Sequence, residues 1–508
     1  MCSGSSVYKR TAICLSILVL SACASRLEPI SLPPEFASIP SHAQLWQDID
    51  AIHDGDWHYL LNDGMSALDW RLRAIDSATQ SVDFQSFLWD MDTAGTAVLS
   101  HLLAAADRGV RIRILMDDTF LLSVDEVLIG LQAHPNIAYR VFNPNKRRTN
   151  NFVTREILNL GEFHRLDHRM HNKVMIVDNR IAIIGGRNIA DEYFGLSEAA
   201  NFRDMELLTG GRIVEEISDG FDLYWNNHWS FPVDVLIASA SPDKALETIR
   251  DLNVEIDPVH HEETAIFRAE RWMRMVGEAV KGQSLMLLDN PPAKSPAAKE
   301  SAPVQLANDI VSLIDESETE IMIISAYLIP TTEFEMAIEQ AESRGVEVHI
   351  LTNSIRSNNH LTAHSAYRRH IHRLLSHGAD LHEVRTDAKD RAAYMRAPTE
   401  NKQLALHAKV MVVDRKSVFL GSANFDPRSL RINTEVGLLI QSETLGQQVL
   451  DALNPDFLPR NAWHLSLSDS GHVHWESDDE SLDHQPAQSF MQQIEDWFFS
   501  RLPIEGEM

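Results

Sequence analysis

The chain of 508 residues carries 45 Lys and Arg against 73 Asp and Glu, a formal charge of −28 with His neutral, and this acidic excess disfavours a generic polyanion binder. With 44% hydrophobic and 23% charged residues, 22 Gly and 20 Pro, it is neither disordered nor fibrous, and its length allows about two to four domain-sized cores. Its 3 cysteines, Cys2, Cys14 and Cys23, all precede Ala24, so the body of the chain has no disulfide framework, cysteine-based zinc site or cysteine nucleophile.

Lys9 and Arg10 precede the apolar run Thr11 to Leu20, which is shorter than the roughly 20 residues of a membrane-spanning helix and fits the core of a secretory signal. The run closes on Leu20-Ser21-Ala22-Cys23, which resembles a bacterial lipobox, where the cysteine is acylated and becomes the new amino terminus. Residues 1–22 then read as a lipoprotein signal peptide and Cys23 as the lipid anchor; ordinary cleavage after Ala24 is the alternative. Two or more acyl chains anchor stably. Loss of residues 1–22 removes Lys9 and Arg10 and no acid, taking the charge from −28 to −30. Ala24 in place of a retention Asp points to the outer rather than the inner membrane of a bacterial envelope, with the protein facing the periplasm. Residues 23–45, with Pro29, Pro33, Pro34 and Pro40, form a stiff tether.

Residues 46–289 and 305–508 read as two copies of one lobe, joined by a Pro-, Ala- and Ser-rich linker at 290–304. Arg108 to Leu115 returns as Arg344 to Leu351, and His171 to Asp178 returns as His407 to Asp414, at one common offset. Repeats decide architecture ahead of any local assignment. Within each copy an amphipathic helix, Gly95 to Arg108 or Thr331 to Arg344, precedes a β-rich run such as Val110 to Met116, the alternation of an α/β fold. Asp469 to Gln485 is an acidic polar stretch. Phe490, Met491, Ile494, Trp497, Phe498 and Leu502 then recur at helical spacing, as in a helix docked on the core.

The chemistry-bearing motifs are paired. His171-x-Lys173, Asp178 and Gly185-Gly186-x-Asn188 in the first copy match His407-x-Lys409, Asp414 and Gly421-Ser422-x-Asn424 in the second, with identical intervals. On a strand, residues i and i+2 share a face, so each His and Lys project together, and the glycines let the backbone bring Asn188 and Asn424 beside them. Such a set suits a phosphodiester. Lys supplies charge to the non-bridging oxygens, Asn an oriented N–H, and His a nucleophile or proton donor. Two copies facing each other let one His attack in line while the other protonates the leaving alkoxide.

These residues resemble the HKD signature of the phospholipase D superfamily. Met170-His171-Asn172-Lys173, Gly185 to Ile189, Asp191 to Phe194, Phe221 to Trp225, His364 to Tyr367, Asn424 to Ser429 and the ending Leu502 to Glu505 resemble its cardiolipin synthase C branch. The resemblance implies a two-lobed, pseudo-symmetric α/β fold, each lobe a β-sheet flanked by helices, with the active site at the lobe interface. It also implies a covalent phosphohistidine and no metal or other cofactor. By the same analogy His171 is the nucleophile and His407 the general acid, the order staying open in the sequence. The acids set against the histidines in this superfamily correspond to Asp204 and Glu435, which fix tautomer and orientation. Asp178 and Asp414 read as structural residues at strand ends.

Two histidine groups, His164, His168 and His171, and His360, His364, His370 and His372, lack the carboxylate or cysteine framework of a zinc site. Lys146-Arg147-Arg148 with Arg155, Arg165 and Arg169 forms a basic patch, either a solvated loop or a dock for lipid head groups. The leading function is phosphatidyl transfer between phospholipids, as in a cardiolipin synthase. Its alternatives are hydrolysis to phosphatidic acid, an HKD-type nuclease, which the charge disfavours, and a non-catalytic envelope lipoprotein. The partners implied are phospholipid substrates and the membrane holding the anchor, with no nucleic acid; the sequence leaves the oligomeric state open.

Overall fold

The computed structural model describes residues 27–238, 241–251, 265–293, 303–358 and 360–489, together with 492, 495 and 496. Residues 1–22, read as a signal peptide, with Cys23, most of the linker and the whole apolar stripe Phe490, Met491, Ile494, Trp497, Phe498 and Leu502, lie outside the described residues. No helix among the described residues is long and apolar enough to cross a membrane.

Two large sheets organise the chain. The first has nine strands in the spatial order Val280–Lys281, Trp57–Leu61, Glu206–Gly210, Ile181–Gly185, Val174–Val177, Ser81–Ser86, Arg111–Asp117, Ile137–Phe142 and Ser230–Pro232. The second has ten, in the order Gln283–Leu288, Val436–Gln441, Ser417–Gly421, Lys409–Val413, Glu320–Ser325, Glu347–Asn353, Asp380–Val384, Ala462–Leu467, Val473–Glu476 and Ser481–Leu482. From Trp57–Leu61 and from Gln283–Leu288 onward the two orders correspond strand for strand, with the same parallel trio inside each sheet. The duplication therefore reaches the edge strands, where the sequences no longer resemble each other.

This correspondence moves the lobe boundary. Gln283–Leu288 pairs antiparallel with Val436–Gln441, whereas Val280–Lys281 pairs with Trp57–Leu61. The crossing between sheets thus falls at Gly282, ahead of the 290–304 linker, and the expected first lobe ending at 289 is too long by one strand. Within the acidic stretch from Asp469, Val473–Glu476 and Ser481–Leu482 extend the second sheet, held by buried Trp475, whose Nε1 donates to Glu383 Oε2 at 3.1 Å.

Helices cover the outer faces. Asp92 caps Thr93–Asp107 by accepting from Gly95 N, and Thr331 caps Thr332–Ser343 by accepting from Phe334 N. Both helices are followed by a glycine at positive φ, Gly109 at 94° and Gly345 at 90°, so the repeated Arg-Gly-Val ends a helix at a left-handed turn. The two sheets share a core. Val174, Ile176, Ala182, Ile184 and Leu207 of the first pack with Val410, Val412, Val418, Leu420 and Leu438 of the second, while the alternate residues Met175 and Val177, and Met411 and Val413, face the outer cores. Burial on both faces explains why the runs after each His-x-Lys are continuously apolar. A further strand pair, Ala200–Arg203 with Gln403–Leu406, runs in parallel between the lobes, and its ends deliver Asp204 and His407.

Candidate active site

His171 and Lys173 sit immediately before Val174–Val177, and His407 stands two residues before Lys409 at the head of Lys409–Val413. Each histidine is held by the opposite lobe. The His171 amide donates to the Thr434 carbonyl at 2.9 Å, and its Nδ1 lies 2.9 Å from both carboxylate oxygens of Glu435. The His407 amide donates to the Arg203 carbonyl at 2.8 Å, and its Nδ1 lies 2.7 Å from Asp204 Oδ2. The two contacts are related by the internal pseudo-symmetry. Both Nδ1 atoms are thereby committed, leaving Nε2 of each ring for chemistry.

Lys173 Nζ donates to the His171 carbonyl at 2.6 Å and Lys409 Nζ to that of His407, which keeps each ammonium beside its own histidine with two further protons to give. Asn188 Nδ2 donates to the Tyr193 hydroxyl at 2.8 Å, and the Oδ1 atoms of Asn188 and Asn424 are buried with no partner among the described residues. Phe87 packs edge-on against His171 at 4.8 Å, and Tyr193 against His407 at 5.0 Å. The structure thus brings together His171, His407, Lys173, Lys409, Asn188, Asp204 and Glu435, and buries Asn424 after the strand Ser417–Gly421 as it buries Asn188 after Ile181–Gly185.

The electrostatics are less symmetric than the geometry. Burial, with Lys173 and Lys409 adding like charge, holds His171 well below its ordinary value; burial and Lys409 push His407 down to about 3. Burial lowers Lys173 to about 7 and Lys409 to about 8. The carboxylates diverge. Burial pushes Glu435 up to about 8, against the charge of Lys173. Burial also works to raise Asp204, but the hydrogen bond with His407 and the charges of His407, Lys409 and Arg187 prevail and hold it at about 2.

The unequal glycine motifs follow this difference. A Cβ at Gly186 would lie 2.3 Å from Asp204 Oδ1, so only glycine admits the carboxylate there. Its counterpart Ser422 instead donates its hydroxyl to Glu435 Oε2.

The other motif residues lie away from the reaction. Asp178, at φ 54°, accepts from the amides of Thr79, Gln80 and Ser81, the Thr79 hydroxyl and Trp46 Nε1; Asp414, at φ 51°, accepts from the amides of Glu318, Thr319 and Glu320. Each ties a hairpin turn to the start of the neighbouring strand.

Residues 72–225 and 310–456 match the family model described as "Cardiolipin synthase, PLD-like domain". Cardiolipin synthase C of Escherichia coli (strain K12) is 33% identical over 459 residues, covering 88% of this chain and 94% of that one. The chain belongs to the phospholipase D superfamily. Within it, the chain is an enzyme of the phosphatidyltransferase and phosphodiesterase class. Cardiolipin synthase B of Shigella flexneri is 24% identical, covering 79% of this chain and 80% of its own. The crystal structure of phosphatidylserine synthase from Haemophilus influenzae Rd KW20 shares the fold, with a TM-score of 0.56 at 14% identity, over 90% of this chain and 97% of that one.

Two candidate groupings dissolve in this phospholipase D fold. Four of the six residues of the basic patch form an internal network, while Lys146 and Arg147 stay exposed. Arg148 and Arg155 both pair with buried Asp118, Arg165 with Glu162 and Asn143, and Arg169 faces Asp117 at 3.7 Å. Acids on the strand Arg111–Asp117 and just beyond it neutralise charges that look solvated in the sequence. The histidine groups disperse as well: His168 Nδ1 bonds the Ile432 carbonyl, His364 bonds Asp496, and His370 lies by Glu335. Among the described residues the metal-capable group is Asp380, His382 and His464, with ligand atoms within 4.8 Å of one another on adjacent strands of the second sheet.

Sequence reading missed Phe87, Thr434 and Asp289, the last accepting from the Glu435 amide at 3.2 Å and donating its own amide to the Glu435 carbonyl. Only the doublet Thr434-Glu435, mirrored by Arg203-Asp204, carried a signal for any of them.

Proposed function

We propose that the enzyme transfers a phosphatidyl group from one phospholipid to an alcohol of another, as in cardiolipin synthesis, through a covalent phosphohistidine and without a metal. His171 Nε2 attacks phosphorus as the bond to the head-group alkoxide breaks, and His407 gives that alkoxide its proton. The acceptor alcohol then returns a proton to His407 and attacks the phosphohistidine, releasing His171. Lys173 and Lys409, with the amides of Asn188 and Asn424, hold the non-bridging oxygens.

The observation that carries the reading is the crossed pair of His–carboxylate contacts, which sets two imidazoles on one interface with both Nε2 atoms available. The unequal carboxylates support the division of labour. Asp204, held at about 2, stays ionised and stabilises an imidazolium at His407, while Glu435, pushed up to about 8, leaves His171 the neutral nucleophile. Phosphodiester bound between the rings adds the negative charge that lets His407 take its proton.

Lipid mass spectrometry after incubation with phosphatidylglycerol vesicles in chelator tests this reading. Cardiolipin and free glycerol are expected, both lost in His171→Ala and in His407→Ala. Phosphatidic acid without cardiolipin would mean hydrolysis, and activity only with added metal would overturn the metal-free mechanism. We further propose that Cys23 carries the lipid anchor, in the periplasm-facing leaflet of the outer membrane; palmitate labelling that persists in Cys23→Ser would refute it.

A further inference from the structure

The helix Phe152–Asn159, between the strand Ile137–Phe142 and His171, is built inside out. Its buried side chains are polar: Arg155 donates to Asp118 at 2.7 Å and to the Leu121 carbonyl at 3.1 Å, and Asn159 donates to the carbonyls of Arg147 and Arg155. Apart from exposed Thr154 and half-buried Glu156, its outward side chains are apolar. Phe152, Val153, Ile157 and Leu158, with Leu160 and Phe163 in the next turns, are between 37% and 63% exposed. An ordinary surface helix turns its apolar stripe toward its own core, and six apolar side chains projecting together mark a surface that meets something other than water.

Three observations identify what it meets. The helix rests on Leu121, and the neighbouring exposed Phe120 packs against Phe87 at 5.3 Å, which packs against His171; aromatic rings thus run from beside the ridge to the reacting imidazole. Leu27 donates its amide to Glu162 Oε1 at 3.0 Å, so the chain that leads back to Cys23 departs beside the ridge. Lys146 and Arg147 are exposed at its foot, where the Arg147 amide is held by Asn159 Oδ1, and they present positive charge in a chain of formal charge −28.

We propose that Phe152 to Phe163 is an interfacial membrane element, its ridge seated at the head-group boundary of an anionic phospholipid bilayer so that lipid reaches the His171 side of the site. The proposal rests on the phospholipid-substrate reading above. It also adds a location that the reading does not contain.

The test uses the full chain with Cys23→Ser in every arm, comparing the parent with a variant carrying Phe152→Ser, Ile157→Ser, Leu160→Ser and Phe163→Ser. Unchanged circular dichroism and melting confirm that both are folded. Flotation with phosphatidylglycerol-containing vesicles is expected to fall at least about ten-fold, and turnover of vesicle phosphatidylglycerol likewise. Turnover of a monomeric short-chain phosphatidylglycerol stays within about two-fold. Equal flotation and equal vesicle turnover would overturn the proposal, as would a dimer, seen by light scattering, that the variant breaks while flotation is unchanged. If neither protein turns over lipid, a loss of flotation in the variant still supports the membrane element while the substrate reading fails.

Discussion

Replacing each histidine's carboxylate by its amide gives unequal results that can be worked out from the contacts. Asp204 Oδ2 faces His407 Nδ1 at 2.7 Å while Oδ1 accepts from the Met205 amide at 2.7 Å, so both oxygens receive a donor. Asp204→Asn must turn its NH2 toward one of them, either leaving the buried Met205 N–H unpaired or forcing His407 into the tautomer with the proton on Nε2. The charge that stabilises the imidazolium is lost as well. One charge-assisted hydrogen bond is worth about 1.5–3 kcal/mol, which at about 1.4 kcal/mol per decade is a loss of about 10- to 150-fold in turnover. Glu435 is different. Pushed up to about 8, it is largely protonated at neutral pH, and Ser422, which donates to Oε2, can also accept from an amide. Glu435→Gln is therefore expected to cost less than about ten-fold. Single-turnover transfer with both variants, on protein of unchanged circular dichroism, measures the pair. Equal losses, or a greater loss in Glu435→Gln, would refute the assignment of His407 as the protonated partner.

Gly186→Ala, whose Cβ would fall 2.3 Å from Asp204 Oδ1, is expected to displace the carboxylate and cut transfer by at least about ten-fold; Ser422→Ala loses the hydroxyl's bonds to Glu435 and from the Val436 amide, about 1 kcal/mol each, but leaves the carboxylate's place open. Asp178→Ala strands buried donors from Thr79, Gln80, Ser81 and Trp46 and should cost about 3–5 kcal/mol by urea denaturation; the more exposed Asp414→Ala should cost about 1–2 kcal/mol. The raised Glu435 makes a linkage prediction. A carboxyl whose folded value lies above its unfolded one stabilises the fold at low pH and loses that contribution as pH rises through the folded value. Parent stability relative to Glu435→Gln should fall by up to about 1.4 kcal/mol per pH unit between 4.5 and about 8, and a flat difference across that window would sink the assignment.

The repeat and its site were legible because catalysis fixes residue types and spacings at once: His, Lys, Asp, Gly and Asn recur at identical intervals however far the surroundings drift. The edge strand Gln283–Leu288 was not, because its counterpart Trp57–Leu61 keeps the sheet position but, at matched register, shares only the leucine at Leu61 and Leu287. Asp204 and Glu435 stood out as candidates, but the sequence did not say that each acid serves the other copy's histidine, a relation set by how the lobes dock. Arg148 and Arg155 looked solvated because Asp118, which neutralises both, lies on a different stretch of chain. The grouping of Asp380, His382 and His464 is invisible for the same reason, its members being assembled by strand pairing.

The exchange of carboxylates between lobes makes the duplicated unit self-complementary. A lone copy holds an imidazole without its acid and an acid without its imidazole, two unfinished halves and no working centre. Such a unit gains reactivity only by pairing with its twin, and fusion into one polypeptide then frees the twins to specialise. The short Asp204 over a bare Gly186, and the longer Glu435 tethered by Ser422, are the record of that freedom.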